Sequence, residues 1–135
     1  MSTKSKAKGT KAESEVVKYL QEWWPAAERR ALSGNKDKGD VAGIPKVVIE
    51  VKAAATQLLT AWCRETWTEM ENAGATTCVL VVKRPYKSVG QWDAYVPYVL
   101  LPWDPGDNEG QKEVELWARM DLRLAVLLMT DVMGH

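Results

Sequence analysis

The chain contains no phenylalanine, one histidine and two cysteines, and its charges cancel, with 18 Lys and Arg against 18 Asp and Glu. The histidine is His135 at the very end, and Cys63 and Cys78 form no CxxC pair, so a usual zinc site cannot be assembled. Both cysteines are therefore expected as reduced core residues. No apolar run approaches the roughly 18 to 20 residues that span a bilayer. No apolar segment follows the basic start Met1-Ser2-Thr3-Lys4 either, so no secretory signal is expected and the cytoplasm is the expected location. In place of phenylalanine there are seven tryptophans. Most, including Trp23, Trp62 and Trp67 on predicted helices, are expected as core or interface anchors, with stacking on exposed bases as the alternative.

At 135 residues the length suits one compact domain, expected over residues 9–135 behind a flexible basic arm at 1–8. Zero net charge argues against a nucleic-acid partner until its distribution is considered. Through Lys52 nine Lys and two Arg face seven acids, a balance of +4, whereas Asp104 to Glu115 holds five acids and one lysine, a balance of −4. A basic first half is compatible with phosphate binding, and Lys4, Lys6, Lys8 and Lys11 would serve either as a DNA-backbone arm or as a solubilising tail.

Hydrophobic spacing predicts a helix over about Lys11–Trp24, with Val16, Val17 and Leu20 on one stripe and Pro25 ending it. Short strands are predicted at Glu28–Ala31, Asp40–Ile44 and Lys46–Lys52. A second helix is predicted over Thr56–Ala73, closed by Gly74, with Leu59, Trp62, Thr66 and Met70 at helical spacing. Strands at Thr77–Lys83, Asp93–Leu101 and Val114–Arg119 and a last helix at Asp121–Val132 complete a mixed α/β order.

The chemistry-bearing stretch is Lys38-Gly39-Asp40, followed by Ile49-Glu50-Val51-Lys52. In a strand, Val47, Ile49 and Val51 alternate with Val48, Glu50 and Lys52, which puts Glu50 and Lys52 on one face. A turn at Gly43 and Pro45 would fold the Asp40 segment back beside that strand. Two carboxylates and an ammonium would then converge. Carboxylate oxygens suit Mg²⁺ or Mn²⁺, and phosphodiester hydrolysis needs both a divalent ion and a positive charge to stabilise negative charge building on the phosphate. The plain alternative is a solvent-facing Glu and Lys on an ordinary strand, with Asp40 as a turn residue.

The run Gly39-Asp40…Ile49-Glu50-Val51-Lys52 resembles the signature of the PD-(D/E)XK nuclease superfamily, with Gly39 where proline is usual. Upstream, Lys8-Gly9 with Glu13 four residues beyond the glycine resembles the start of archaeal-type and phage Holliday junction resolvases. Arg30-Ala31-Leu32-Ser33-Gly34 is similar to their Arg-x-x-Ser-Gly stretch. Val79 to Pro85, carrying Lys83-Arg84, followed by Trp92, is similar to the phage branch. The likeness covers Lys8 to about Trp92. Where phage members carry a glutamine after a tryptophan on the second helix, this chain has Glu65 after Trp62.

The resemblance implies a restriction-endonuclease-like central mixed β-sheet flanked by helices. It further implies a Mg²⁺-dependent endonuclease (Mn²⁺ as substitute) resolving four-way DNA junctions as a homodimer, in the host cytoplasm if phage-encoded. Glu13, Asp40 and Glu50 would hold the metal, and Lys52 would complete the catalytic set. Lys8, Lys11, Arg30, Ser33, Lys83 and Arg84 would contact DNA. A nuclease of the same fold acting on linear or flap DNA, and a non-catalytic DNA-binding module, are the alternatives. Clustered acids with no metal to hold argue against the second.

Overall fold

The computed structural model describes residues 3–30, 38–98 and 117–133. Within them a four-stranded mixed sheet is flanked by three α-helices. Its strands β3 (Val47–Lys52), β4 (Thr77–Val82), β5 (Asp93–Pro97) and β6 (Trp117–Asp121) stand in that spatial order. β3 and β4 are parallel, with Glu50 opposite Leu80, and β4–β5 and β5–β6 are antiparallel. Parallel strands need a crossover, supplied by helix α2 (Leu59–Ala73). A separate two-stranded piece pairs β1 (Glu28–Arg29) with β2 (Val41–Ala42).

The period-2 reading of β3 holds, and it divides the core into two layers. Val47, Ile49 and Val51 face α1 (Thr3–Leu20) and α3 (Leu122–Met133), where Ala12, Val16, Leu20, Trp92, Leu122 and Val126 close one apolar layer. Val48 faces the opposite way, onto Trp62, Cys63 and Met70 of α2, together with Cys78, Leu80 and Val82. β4 is buried along its whole length, as expected of a strand covered on both faces. Both cysteines are buried and unpaired, and burial pushes the Cys63 thiol up to about 12.

Element boundaries differ from the periodicity reading in instructive places. α1 extends back to Thr3, so residues 3–8, expected as a flexible arm, belong to a helix built from the helix-favouring Lys and Ala residues of 4–8. At its other end α1 stops at Leu20, and a tight turn follows in which Trp24 N still donates to Leu20 O at 2.9 Å. Pro25 disfavours helical geometry at the residue before it, which is Trp24. α2 begins at Leu59 instead of Thr56, leaving Ala53–Leu58 as a connection. The portions of the strand predictions at Ala31, at 99–101 and at 114–116 lie outside the described residues.

Trp24, Trp62, Trp92 and Trp117 are core residues, and Trp23 and Trp67 pack against the core. The core reading of the tryptophans therefore applies to all six that are described. Among the described residues no helix is long and apolar enough to cross a membrane.

Candidate active site

β3 lies at the edge of the four-stranded sheet, which leaves backbone groups on its outer side to be satisfied. Asp40 satisfies two of them. Its N–H donates to Ile49 O at 2.9 Å, and its carboxylate Oδ2 accepts the N–H of Val51 at 2.8 Å. Arg30 N donates to Asp40 O at 2.8 Å from the other side. Asp40 is thus fixed beside Glu50, the residue between those two contacts, by main-chain bonding on both flanks.

The approach depends on Gly39. Its φ is +95°, and a Cβ there would lie 2.8 Å from Val48 Cγ1 and 3.1 Å from Ile49 O. Proline, with φ near −65°, cannot take that conformation. The position where the resembled signature carries proline therefore has a different backbone in this chain.

Glu50 points from β3 toward α2 and is 3% exposed. Lys52, two residues on and on the same face, brings its Nζ to 3.5 Å from Glu50 Oε2 and donates to Glu65 Oε1 at 3.1 Å. Glu65 and Glu69, one turn apart on α2, face β3, and oxygens of Glu50, Glu65 and Glu69 all lie within 4.8 Å of one another. On the opposite flank Glu13 of α1 adjoins Asp40 and is held by Arg29, whose Nε and Nη2 both donate to Glu13 Oε2 at 3.1 Å. A row of carboxylates thus runs Glu13, Asp40, Glu50 and then Glu65 with Glu69, bracketed by Arg29 and Lys52.

The electrostatics follow from crowding like charges in a buried place. Burial pushes the Glu50 carboxyl far above the usual range, and hydrogen bonding and repulsion from Asp40, then hydrogen bonds with Glu69 and Glu65, push in the same direction. Glu13 is raised by burial and by Asp40, against the opposing pull of Arg29. Burial also works upward on Glu65, but the hydrogen bond from Glu50 and the Lys52 ammonium outweigh it and hold Glu65 below the usual value. For Lys52 burial works downward, and Glu50 and Glu65 overcome it, so its pKa is raised and its charge secured. Without a metal the cluster therefore keeps a proton on Glu50. No donor reaches the buried Glu50 Oε1.

That oxygen and the all-carboxylate donor set fit a hard divalent cation. The acidic cluster could hold such an ion, which would take over the neutralising role of the proton.

Of the residues expected from sequence, Glu13, Asp40, Glu50 and Lys52 fall along this one row. The group whose oxygens all lie within 4.8 Å of one another is nevertheless Glu50 with Glu65 and Glu69, and the sequence reading assigned neither α2 residue to the metal. Their signal was an acid, Glu69, on the apolar stripe of α2 between Thr66 and Met70, with a second acid four residues before it. Arg29 was also missed as the partner of Glu13. The predicted Arg30 instead directs Nη2 at Val41 O, 3.5 Å away, against the backbone of β2. Lys8 and Lys11 lie exposed on α1. Lys83 sits 5.6 Å over the Trp92 ring, and Arg84 Nη1 donates to Gln91 O at 3.4 Å. Ser33 lies outside the described residues.

Compared with known proteins, the chain matches no family model, no curated protein and no solved structure.

Proposed function

We propose that this protein is a divalent-metal-dependent endonuclease of the PD-(D/E)XK kind, with a restriction-endonuclease-like fold, acting in the cytoplasm on branched DNA such as four-way junctions. The observation that carries the reading is Glu50, a carboxyl buried between Asp40, Glu65 and Glu69 with Lys52 on the same strand face. A set of mutually repelling acids at the sheet edge is costly to fold, and a cation gives it a purpose.

Asp40 and Glu50 would hold Mg²⁺, or Mn²⁺ in its place, with Glu65 and Glu69 completing the oxygen set and Glu13 next to Asp40 supporting it. The ion would neutralise charge on the scissile phosphate and make an attacking water more acidic. Lys52, ion-paired with Glu65 at 3.1 Å and with its pKa raised by its acidic neighbours, is assigned a cationic role. Its role is to orient the attacking water and to stabilise the negative charge of the transition state. Glu65, which accepts from Lys52 Nζ at 3.1 Å, would hold that ammonium toward the site. Lys8, Lys11, Lys83 and Arg84 supply positive charge for the DNA backbone.

Cleavage of a synthetic four-way junction beside a linear duplex of the same sequence tests the reading, with Mg²⁺ and with Mn²⁺, for the native protein and for Asp40→Asn. Paired nicks in the junction, lost in the variant, are expected. Equal cutting of both substrates would remove the junction preference, and no cutting with either metal would remove the nuclease reading.

A further inference from the structure

Past the end of β3 the chain opens into a cavity of about 460 Å³, within the range of roughly 300–1,000 Å³ typical of ligand sites. Ala53–Ala55 line it, together with Lys8 from α1, Gln57, Lys83 and Tyr86. It begins one residue beyond Lys52, whose O accepts the N–H of Lys83 at 2.9 Å, so it lies at the same end of β3 as Lys52. Its charge is opposite to that of the acidic row: two lysines and no acidic side chain line it.

Tyr86 is the unusual residue. It occupies the third position of the turn Arg84-Pro85-Tyr86-Lys87, in which Lys87 N donates to Arg84 O at 3.3 Å. Its φ is +65°, a conformation that a bulky side chain rarely adopts and that glycine normally fills at this place in a turn. Tyr86 is fully exposed at 105%, and among the described residues it is the one large aromatic residue standing in solvent. It also borders a second, more open concavity, shared with Lys83 and Lys87, so it forms a ridge between two hollows. Strain and exposure together, at a bulky aromatic residue, point to a partner for the ring.

We infer that this cavity takes one unpaired nucleotide of a DNA strand, with its base stacked on Tyr86 and its phosphate held between Lys8 and Lys83. Charge complementarity selects an anion, the small Ala53–Ala55 segment leaves room for a planar group, and an exposed ring flanked by lysines is the arrangement that binds single strands with little sequence preference. Bases inside a continuous duplex have both faces covered by their neighbours, so Tyr86 meets a base only where a strand is opened. The substrate class is therefore DNA unpaired beside the cleaved phosphate, as at a branch point. The placement beside a cut rests on the nuclease reading, whereas the binding itself does not.

Fluorescence anisotropy with a labelled short oligothymidylate and a labelled blunt duplex, in buffer containing EDTA, tests this without any cleavage. Tyr86→Ala is expected to weaken oligothymidylate binding about tenfold while changing duplex binding less than about twofold. Tyr86→Trp should keep the native affinity, and both variants should melt as the native protein does, because the ring contributes nothing to the core. Equal oligothymidylate binding by Tyr86→Ala and the native protein would overturn the inference, as would an equal loss on both probes. Because no metal is present, a failure of nuclease activity would leave this result standing, and a failure here would leave the acidic site untouched.

Discussion

Glu50 sets the behaviour of the site through one physical fact, the burial of a carboxyl among carboxyls. In the unfolded chain it titrates near 4.5, and in the folded protein it holds its proton far above that. The folded state therefore binds a proton that the unfolded state has released, so metal-free stability falls as pH rises from about 5 through neutrality, by up to about 1.4 kcal/mol per pH unit. Glu13, also raised, adds in the same direction, whereas the lowered Glu65 acts only toward the acid end. Urea unfolding in EDTA at several pH values should show this decline, and a flat profile would mean that Glu50 is not the proton holder. Glu50→Gln keeps the shape and removes the titration, so it should raise metal-free stability by up to about 3 kcal/mol at neutral pH and flatten the decline. The same change should abolish cleavage.

β3 and the segment before it act as a unit, because the free edge of the strand is what anchors Asp40. Gly39→Pro, which would restore the residue usual in the resembled signature, is incompatible with φ +95° and with the close approach to Val48. It should cost on the order of 3 kcal/mol and release Asp40 from Val51, measurable as a lower denaturation midpoint and lost cleavage. A variant as stable and active as the native protein would contradict this account of the turn. Sequence periodicity was sufficient for Glu50 and Lys52, since alternation in a strand places them on one face without tertiary knowledge. Asp40 was legible through the turn residues around Gly43 and Pro45. Glu65 and Glu69 were not, because apolar spacing marks which face of α2 is buried and is silent about acids lying on that face. Arg29 was not legible as the partner of Glu13, because the contact joins residues 16 apart in the chain and nothing local marks it. The length of α1 was missed because capping and proline signals mark boundaries only when a breaker is present, and residues 3–8 contain none.

In the whole molecule, helices α1 and α2, the edge strand β3 and the Gly39 turn bring their residues to one acidic row, and the basic Tyr86 cavity lies past the end of β3. Two opposed strands of a four-way junction can be cut symmetrically only by two such sites related by a twofold axis. The native protein should therefore sediment at twice its chain mass of 15.1 kDa, and a monomer at working concentration would contradict paired cleavage. The most direct test of the acidic row as a metal centre is a calorimetric Mn²⁺ titration of the metal-free protein and of Glu50→Gln in two buffers of different ionisation enthalpy. Saturable binding with proton release, absent in the variant, is predicted, since the ion displaces the Glu50 proton. Equal binding by both proteins, or no binding by the native one, would contradict the assignment of Glu50 and its neighbours as a metal site.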